Sequence, residues 1–311
     1  MAATGMIDLH CDTLIFEHKG ERSLASLESH VSLSKLPHGT KWAQFFAIFI
    51  RDHLRGQQAK DYFESYCDYF YKEMERHQTV VEPCRSFQEV KKAFAGHKFA
   101  AILTVEGGAV LAGETEGAAY IAKKGVKALT ITWNGPNEIC SGHDTKEGIT
   151  PFGREVIPEL ERHGIIIDTS HLNDRGFEDL CTIARKPFIA SHSNSRAICA
   201  HPRNLPDEHF KEIARRGGLV GLNYYVNFIK DDGQVTGLDD LFRHVEHFLK
   251  LGGENTICLG SDYDGATIHH SLDSVEKSLG LYDYFCARGL GHELADKILF
   301  RNAWNYFSQY L

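Results

Sequence analysis

The chain has 311 residues, 42% of them hydrophobic and 24% charged, and a net charge of −8. Those values fit a globular protein long enough for one barrel of roughly 250 residues with insertions, and the acidic balance excludes the basic footprint of a nucleic-acid or anionic-membrane binder. No apolar run reaches the roughly 18 residues of a membrane span, and the N-terminus lacks a basic-then-apolar leader pattern, so a cytoplasmic location is expected, with Met6 a candidate natural start after an appended Met1–Gly5.

Eight short apolar, β-prone segments follow in order: 6–14, 42–50, 99–105, 126–133, 165–170, 188–191, 219–225 and 256–260. Helical periodicity fills most of the intervals, over 61–77, 87–94, 116–124, 152–163, 175–184, 207–216, 238–251 and 274–288. Glycines at plausible helix ends (Gly96, Gly125, Gly164, Gly217 and Gly252) precede several strands. Alternating strands and helices imply parallel strands joined by right-handed crossovers. Eight such units predict a (β/α)8 TIM barrel, an α/β fold, occupying 1–311 as a single domain, with a C-terminal helical extension over about 293–310. The aromatic-rich stretch 62–71 reads as a core stripe in preference to an interface.

The polar residues fall at telling places. Catalytic groups of such barrels sit at the C-terminal ends of strands, and five of the eight segments end in a metal-ligand type. The first carries His10 and Asp12, two apart and so on one face of an extended strand. The third ends at Glu106, the fifth at His171, the sixth at His192 and the eighth at Asp262. Imidazole and carboxylate suit Zn²⁺, with Mn²⁺, Co²⁺ or Fe²⁺ as alternatives. The number of ligand types exceeds what one catalytic ion needs and fits a pair of metals bridged by a carboxylate. Of the 18 histidines, those on helices and loops, His18, His30, His209 and His244 among them, are expected to be mostly solvated. So are the runs Lys91-Lys92 and Arg215-Arg216. The 8 cysteines form no C-x-x-C pair and are expected to be buried free thiols.

At these residues the chain resembles the membrane (renal) dipeptidase family of amidohydrolase-like metal-dependent hydrolases. The resemblance rests on Asp8-Leu-His-Cys-Asp-Thr13, Val105-Glu-Gly-Gly108, Asp168-Thr-Ser-His171, Ser191-His-Ser193, His201-Pro-Arg-Asn204-Leu-Pro-Asp207 and Gly260-Ser-Asp-Tyr-Asp-Gly265, which span nearly the whole chain. It implies that His10 and Asp12 bind one zinc, His171 and His192 a second, and that Glu106 bridges them together with a hydroxide. It further implies attack of that hydroxide on a dipeptide, with Asp262 as the proton carrier, Arg203 on the substrate's terminal carboxylate, and tolerance of a C-terminal D-residue. A homodimer of the soluble, bacterial type is implied as well, since the lipid anchor of the family's eukaryotic members has no counterpart here.

One departure stands out. Where family members commonly place a substrate-contacting histidine at the end of the fourth strand, this chain has Trp133, followed by Asn134. Indole offers one neutral N–H and cannot become cationic, so Trp133 is expected either to donate weakly to a developing oxyanion or to wall the pocket, with Asn134 or His143 as the candidate for the missing polar contact, and the effect falls on substrate choice and rate. Two other readings follow. One keeps the metals and changes the substrate to an N-acyl amino acid or related amide. The other, of a different class, is a weakly catalytic protein that binds a metal-chelated ligand.

Overall fold

A computed structural model describes residues 3–15 and 22–311; His18 lies outside the described residues. Eight strands form one parallel sheet: β1 (Met6–Cys11), β2 (Trp42–Phe49), β3 (Val81–Pro83), β4 (Phe99–Glu106), β5 (Ala128–Thr130), β6 (Ile166–Asp168), β7 (Val220–Leu222) and β8 (Ile257–Leu259). Their order is β6-β5-β4-β2-β1-β8-β7, with β3 on β4. Two single bridges, Asp168 to Ile189 and Ala190 to Val220, join β6 to β7 and complete the ring. The fold is therefore the expected TIM barrel. The segment 188–191 contributes those bridges in place of a full strand, and β3 adds a short strand that the sequence pattern did not reveal.

The longest pairing fixes the geometry of the site. β2 and β4 run in register from Ala43 opposite Ala100 to Phe49 opposite Glu106. Side chains alternate faces along a strand, so Ala43, Phe45 and Phe49 share the face of Ala100, Ile102 and Glu106. The lower members of this set pack with Ile7, Leu9, Ala128, Ile166 and Cys258, and with Phe300 and Phe307 of the C-terminal segment, as one buried cluster. That cluster fills the barrel and leaves Phe49 and Glu106 at its top. β1 reaches the same top by a different device. Its pairing with β2 slips between Asp8 and Cys11. Simple alternation from Ile7 and Leu9 would send Cys11 inward. After the slip Cys11 packs with the outer cluster instead, and His10 and Asp12 turn to the site. Bulges characteristically re-aim side chains in this way.

The crossover helices follow the expected periodicity to within a few residues, from Gly56–Arg76 to Val275–Ala287. Ser86, Thr150 and Asn173 cap three of them by accepting the backbone N–H of Glu89, Gly153 and Gly176 at 3.3, 2.9 and 2.7 Å. The aromatic stretch is a core stripe, with Phe63, Tyr66 and Phe70 buried. Gly164 and Gly217 take the left-handed turn after their helices, at φ 73° and 77°; at Gly96 that turn falls on His97 instead, at φ 56°. The C-terminal extension breaks into Gly291–Asp296, a π turn over Lys297–Arg301, and Asn302–Tyr310.

All eight cysteines are free thiols, six of them buried and Cys181 and Cys286 half-buried. Among the described residues no helix is long and apolar enough to cross a membrane. Several expectations of solvation fail, His209 among them, whose ring stacks on Phe177 at 4.0 Å. Arg216 folds back over Phe188, 5.1 Å from its ring centre, and donates to the carbonyls of Ala184 and Cys181 at 3.0 and 2.6 Å.

His244 is fully buried: its Nε2–H donates to the Ile229 carbonyl at 2.9 Å, and Nδ1 accepts the Ser195 N–H at 3.1 Å. Both ring nitrogens are thus committed to the neutral form, and burial pushes the imidazole down to about 4. The unfolded chain takes up this proton near 6.5 and the folded chain only near 4, so acidification across that window favours unfolding. The interval amounts to about 3 kcal/mol. Urea unfolding at pH 7 and pH 4 should show the parent losing about that much more stability than His244→Gln. Parallel losses would contradict the assignment.

Candidate metal centre

The strand ends bring the predicted ligands together. His171 Nε2 lies 2.8 Å from Glu106 Oε1, His192 Nε2 3.4 Å and His10 Nε2 4.0 Å from the same oxygen. His10 Nε2 is also 3.6 Å from Asp12 Oδ2. Glu106, His10, His171, His192 and Asp12 are all buried. Two groupings have ligand atoms close enough to hold an ion: His10 with Glu106 and His192, and His10 with Asp12 and Asp262. Glu106 belongs to one and Asp262 to the other, and His10 to both.

Hydrogen bonds fix which nitrogen each imidazole offers. Asp168 Oδ2 accepts the Ser191 hydroxyl at 2.5 Å, so the Ser191 oxygen is left to accept His192 Nδ1–H at 2.7 Å. The Asn134 carbonyl oxygen accepts His171 Nδ1–H at 2.8 Å. In both rings Nε2 therefore carries a lone pair directed at Glu106, the arrangement by which outer partners orient a metal-binding histidine. His10 Nε2 and Asp12 Oδ1 are buried with no hydrogen-bond partner. Buried polar atoms are rarely left so, and a divalent cation satisfies both. The donor set thus fits a metal.

The electrostatics point the same way. Burial raises the Glu106 carboxyl, but the imidazoles facing it, cationic His10 among them, outweigh burial and hold the group well below the usual range. Burial lifts Asp12 despite the pull of His10. His10 is raised, because Glu106 and Asp12 overcome its burial. Burial, with Arg203 nearby, keeps His171 neutral, and burial with His10 nearby does the same for His192. Two neutral imidazoles and several buried carboxylates around one point call for positive charge there.

Further residues hold this arrangement. Asp8 Oδ1 accepts the backbone N–H of His10 and of Ser261, both at 3.1 Å, tying β1 to the turn after β8. Asp168 does the same between Ser170 and Ser191, at 3.0 and 2.8 Å. Asn223, just past β7, accepts the Tyr225 N–H at 2.7 Å, which leaves its amide N–H to donate to Asp262 Oδ2 at 3.0 Å. His171 and Asp262 hold left-handed backbones at φ 69° and 62°. Such conformations cost about 1–3 kcal/mol each and persist only where surroundings over-determine them.

Above the cluster opens a cleft of about 620 Å³, walled by Phe49, Trp133, Asn134, Tyr225 and Phe228 among others. Trp133 packs edge-on to Phe49 at 4.7 Å and stands 6.2 Å from the His171 ring. Arg203 is buried, 4% exposed, with its guanidinium 5.3 Å over the Phe228 ring. One of its nitrogens donates to the His192 carbonyl at 3.5 Å, while Nε has no partner. Burial lowers it to about 10, so it is still cationic at neutral pH. Asn223 was missed in the sequence, although it too follows a strand end. It is not a ligand type, and a search for ligands passes over it.

The membrane dipeptidase (peptidase family M19) model matches residues 1–309. A metallopeptidase from Rhodobacter sphaeroides, solved with a phosphinate mimic of the dipeptide L-Ala-D-Ala, superposes with TM-score 0.93 at 25% identity, covering 99% of this chain and all of that one. A dipeptidase of the same family superposes with TM-score 0.92 at 26% identity over 98% of each chain. In sequence, an uncharacterised Klebsiella pneumoniae protein is 31% identical over 70% of this chain and 85% of its own. A dipeptidase from Claviceps purpurea is 25% identical over 89% and 68%.

The orienting role of Asn134 and Ser191 has a direct consequence. Asn134→Ala and Ser191→Ala should each weaken metal retention by roughly 10–100-fold while leaving the fold intact. Chelator competition followed by metal analysis measures this, and unchanged retention would remove these residues from the support of the centre.

Proposed function

The chain belongs to the membrane dipeptidase family and is a metallopeptidase, and on that premise we propose that it hydrolyses dipeptides, those with a C-terminal D-residue included, at a two-zinc centre. The observation that carries this reading is the single Glu106 oxygen approached by three imidazole Nε2 atoms within 4.0 Å, beside Asp12 and Asp262. His10 and Asp12 would hold one ion, His171 and His192 the other, and Glu106 both. Zinc bound there supplies a Lewis acid for the peptide carbonyl and brings the pKa of a water toward neutrality. The whole span 1–311 acts in this reading as one hydrolase domain, supported by the family match over 1–309.

The residues divide the work by their chemistry. Arg203, cationic and with an unpartnered Nε, grips the terminal carboxylate of the substrate through its planar fork. That contact demands an open C-terminus and so favours short peptides. Asp262, aimed by the Asn223 amide, takes a proton from the attacking water and returns it to the leaving amine. Water thereby adds across the C–N bond, giving one free carboxylate and one free amine. Trp133 and Asn134 form the wall beside the scissile bond: Asn134 orients His171, and Trp133 shapes the space next to it. The liganded relative supports the substrate class, since tetrahedral phosphorus imitates the geometry through which a peptide carbonyl passes.

Amino-acid release from L-L, L-D and D-D dipeptides and from N-acyl amino acids, using zinc-reconstituted protein, tests the proposal. Dipeptides should be cleaved, and Asp262→Asn should reduce kcat at least about 100-fold. Cleavage confined to the N-acyl substrates would replace the dipeptidase reading with the amidase one. Arg203→Lys should raise KM for dipeptides about tenfold or more with little change in kcat, the signature of a lost ground-state contact. A kcat effect with unchanged KM would place Arg203 elsewhere in the reaction.

A further inference from the structure

His143 stands between two spaces. It lines the cleft over the Glu106 cluster, and it also lines a second cavity of about 330 Å³. Its ring lies 6.2 Å from the ring of His171 and 6.0 Å from that of His201, and its side chain is only 12% exposed. Burial holds the imidazole down at about 4, and the charge of Arg203 is the next contributor. His143 is thus a neutral ring close to the guanidinium that takes the terminal carboxylate.

The second cavity is a formed feature. One side chain clamps the loop that carries His143: Asn173 Nδ2 faces the carbonyls of Gly142, Thr145 and Glu147 at 3.3, 3.1 and 2.8 Å. The Oδ1 of the same residue caps the helix Asp174–Ile183. The far walls of the cavity include Lys146, Arg175 and Arg196. Arg196 is committed to Asp174 by two hydrogen bonds of 2.7 and 2.9 Å, and Arg175 pairs with Glu178 and Asp179. Lys146, by contrast, makes no ion pair among the described residues. The volume lies within the range of small-ligand sites, and a third residue would carry a peptide's carboxylate about 3.5 Å beyond the end of a dipeptide.

We propose that His143 is the end-stop that confines the substrate to two residues, and that the cavity behind it is a latent subsite for a third residue whose carboxylate meets Lys146. The inference deepens the dipeptidase reading and rests on it. The chemistry is unchanged: water adds across the same peptide bond, and only the length of the departing amine differs.

The test compares kcat/KM for an L-D dipeptide with that for the tripeptide bearing one more C-terminal residue. Zinc-loaded parent, His143→Ala and His143→Phe are assayed, each checked for metal content and folding. The tripeptide-to-dipeptide ratio should rise about tenfold or more in His143→Ala, a size-exclusion effect of ordinary magnitude. It should stay near the parent's in His143→Phe, which keeps the bulk and removes the polar atoms. Adding Lys146→Gln to His143→Ala should abolish most of the gain. An unchanged ratio in metal-loaded His143→Ala overturns the end-stop, and an equal rise in His143→Phe assigns selectivity to the polar atoms instead. A parent that cleaves no dipeptide at all is the separate failure of the dipeptidase reading, and the end-stop falls with it.

Discussion

The structure is organised around a carboxylate that ought to be costly. Glu106 sits at the end of a fully buried strand, with Asp12 close by and Asp262 half-buried at the same centre. Negative charges gathered in a low-dielectric interior are stable only if paired. The chain answers with three imidazoles whose Nε2 atoms converge on one oxygen, two of them locked in the neutral, ligating tautomer. Neutral nitrogen donors do not supply the missing charge, whereas a divalent cation does. Nearly every feature around the barrel's mouth serves to hold this arrangement: the register slip in β1, the Asp8 and Asp168 clasps, and the left-handed His171 and Asp262.

Precision at such a site comes from the scaffold below it. The filled barrel interior leaves the strand ends little freedom, and the longest strand pair, β2 with β4, delivers Phe49 and Glu106 to one level. Asp8 and Asp168 then fasten neighbouring strand ends through backbone N–H groups, so that a shift in one ligand loop is resisted by another. The cleft above is asymmetric. One part is lined by His143 and His201, another by the aromatic wall of Phe49 and Trp133, and Arg203 lies buried behind Phe228.

Much of this was legible in the sequence because a barrel confines chemistry to strand ends. His10-x-Asp12, Glu106, His171, His192 and Asp262 all stand out there, and parity along a strand puts His10 and Asp12 on one face, where the two side chains lie 3.6 Å apart. What remained hidden depends on long-range contacts. Nothing local indicates that β1 slips register to turn His10 inward, or that the short stretch Val81–Pro83 pairs with β4. Phe188–Ser191 carries a strand's composition yet makes only two bridges, through Ile189 and Ala190. Asn223 looks like an ordinary loop amide until its partner, Asp262, is seen, and Asn134, singled out as a substrate contact, also orients His171. His244 resembles any helix histidine, and its ring partners, the Ile229 carbonyl and the Ser195 N–H, lie 15 and 49 residues away in the chain. The cavity behind His143 likewise arises from Asn173, whose clamp spans 26–31 residues of sequence.

The most direct test of the account is anomalous diffraction at the zinc edge from zinc-loaded crystals. Two peaks flanking the Glu106 carboxylate, one against His10 and Asp12 and one against His171 and His192, are the predicted result. A single peak, or metal held away from Glu106, would contradict the two-ion centre on which the proposed chemistry stands.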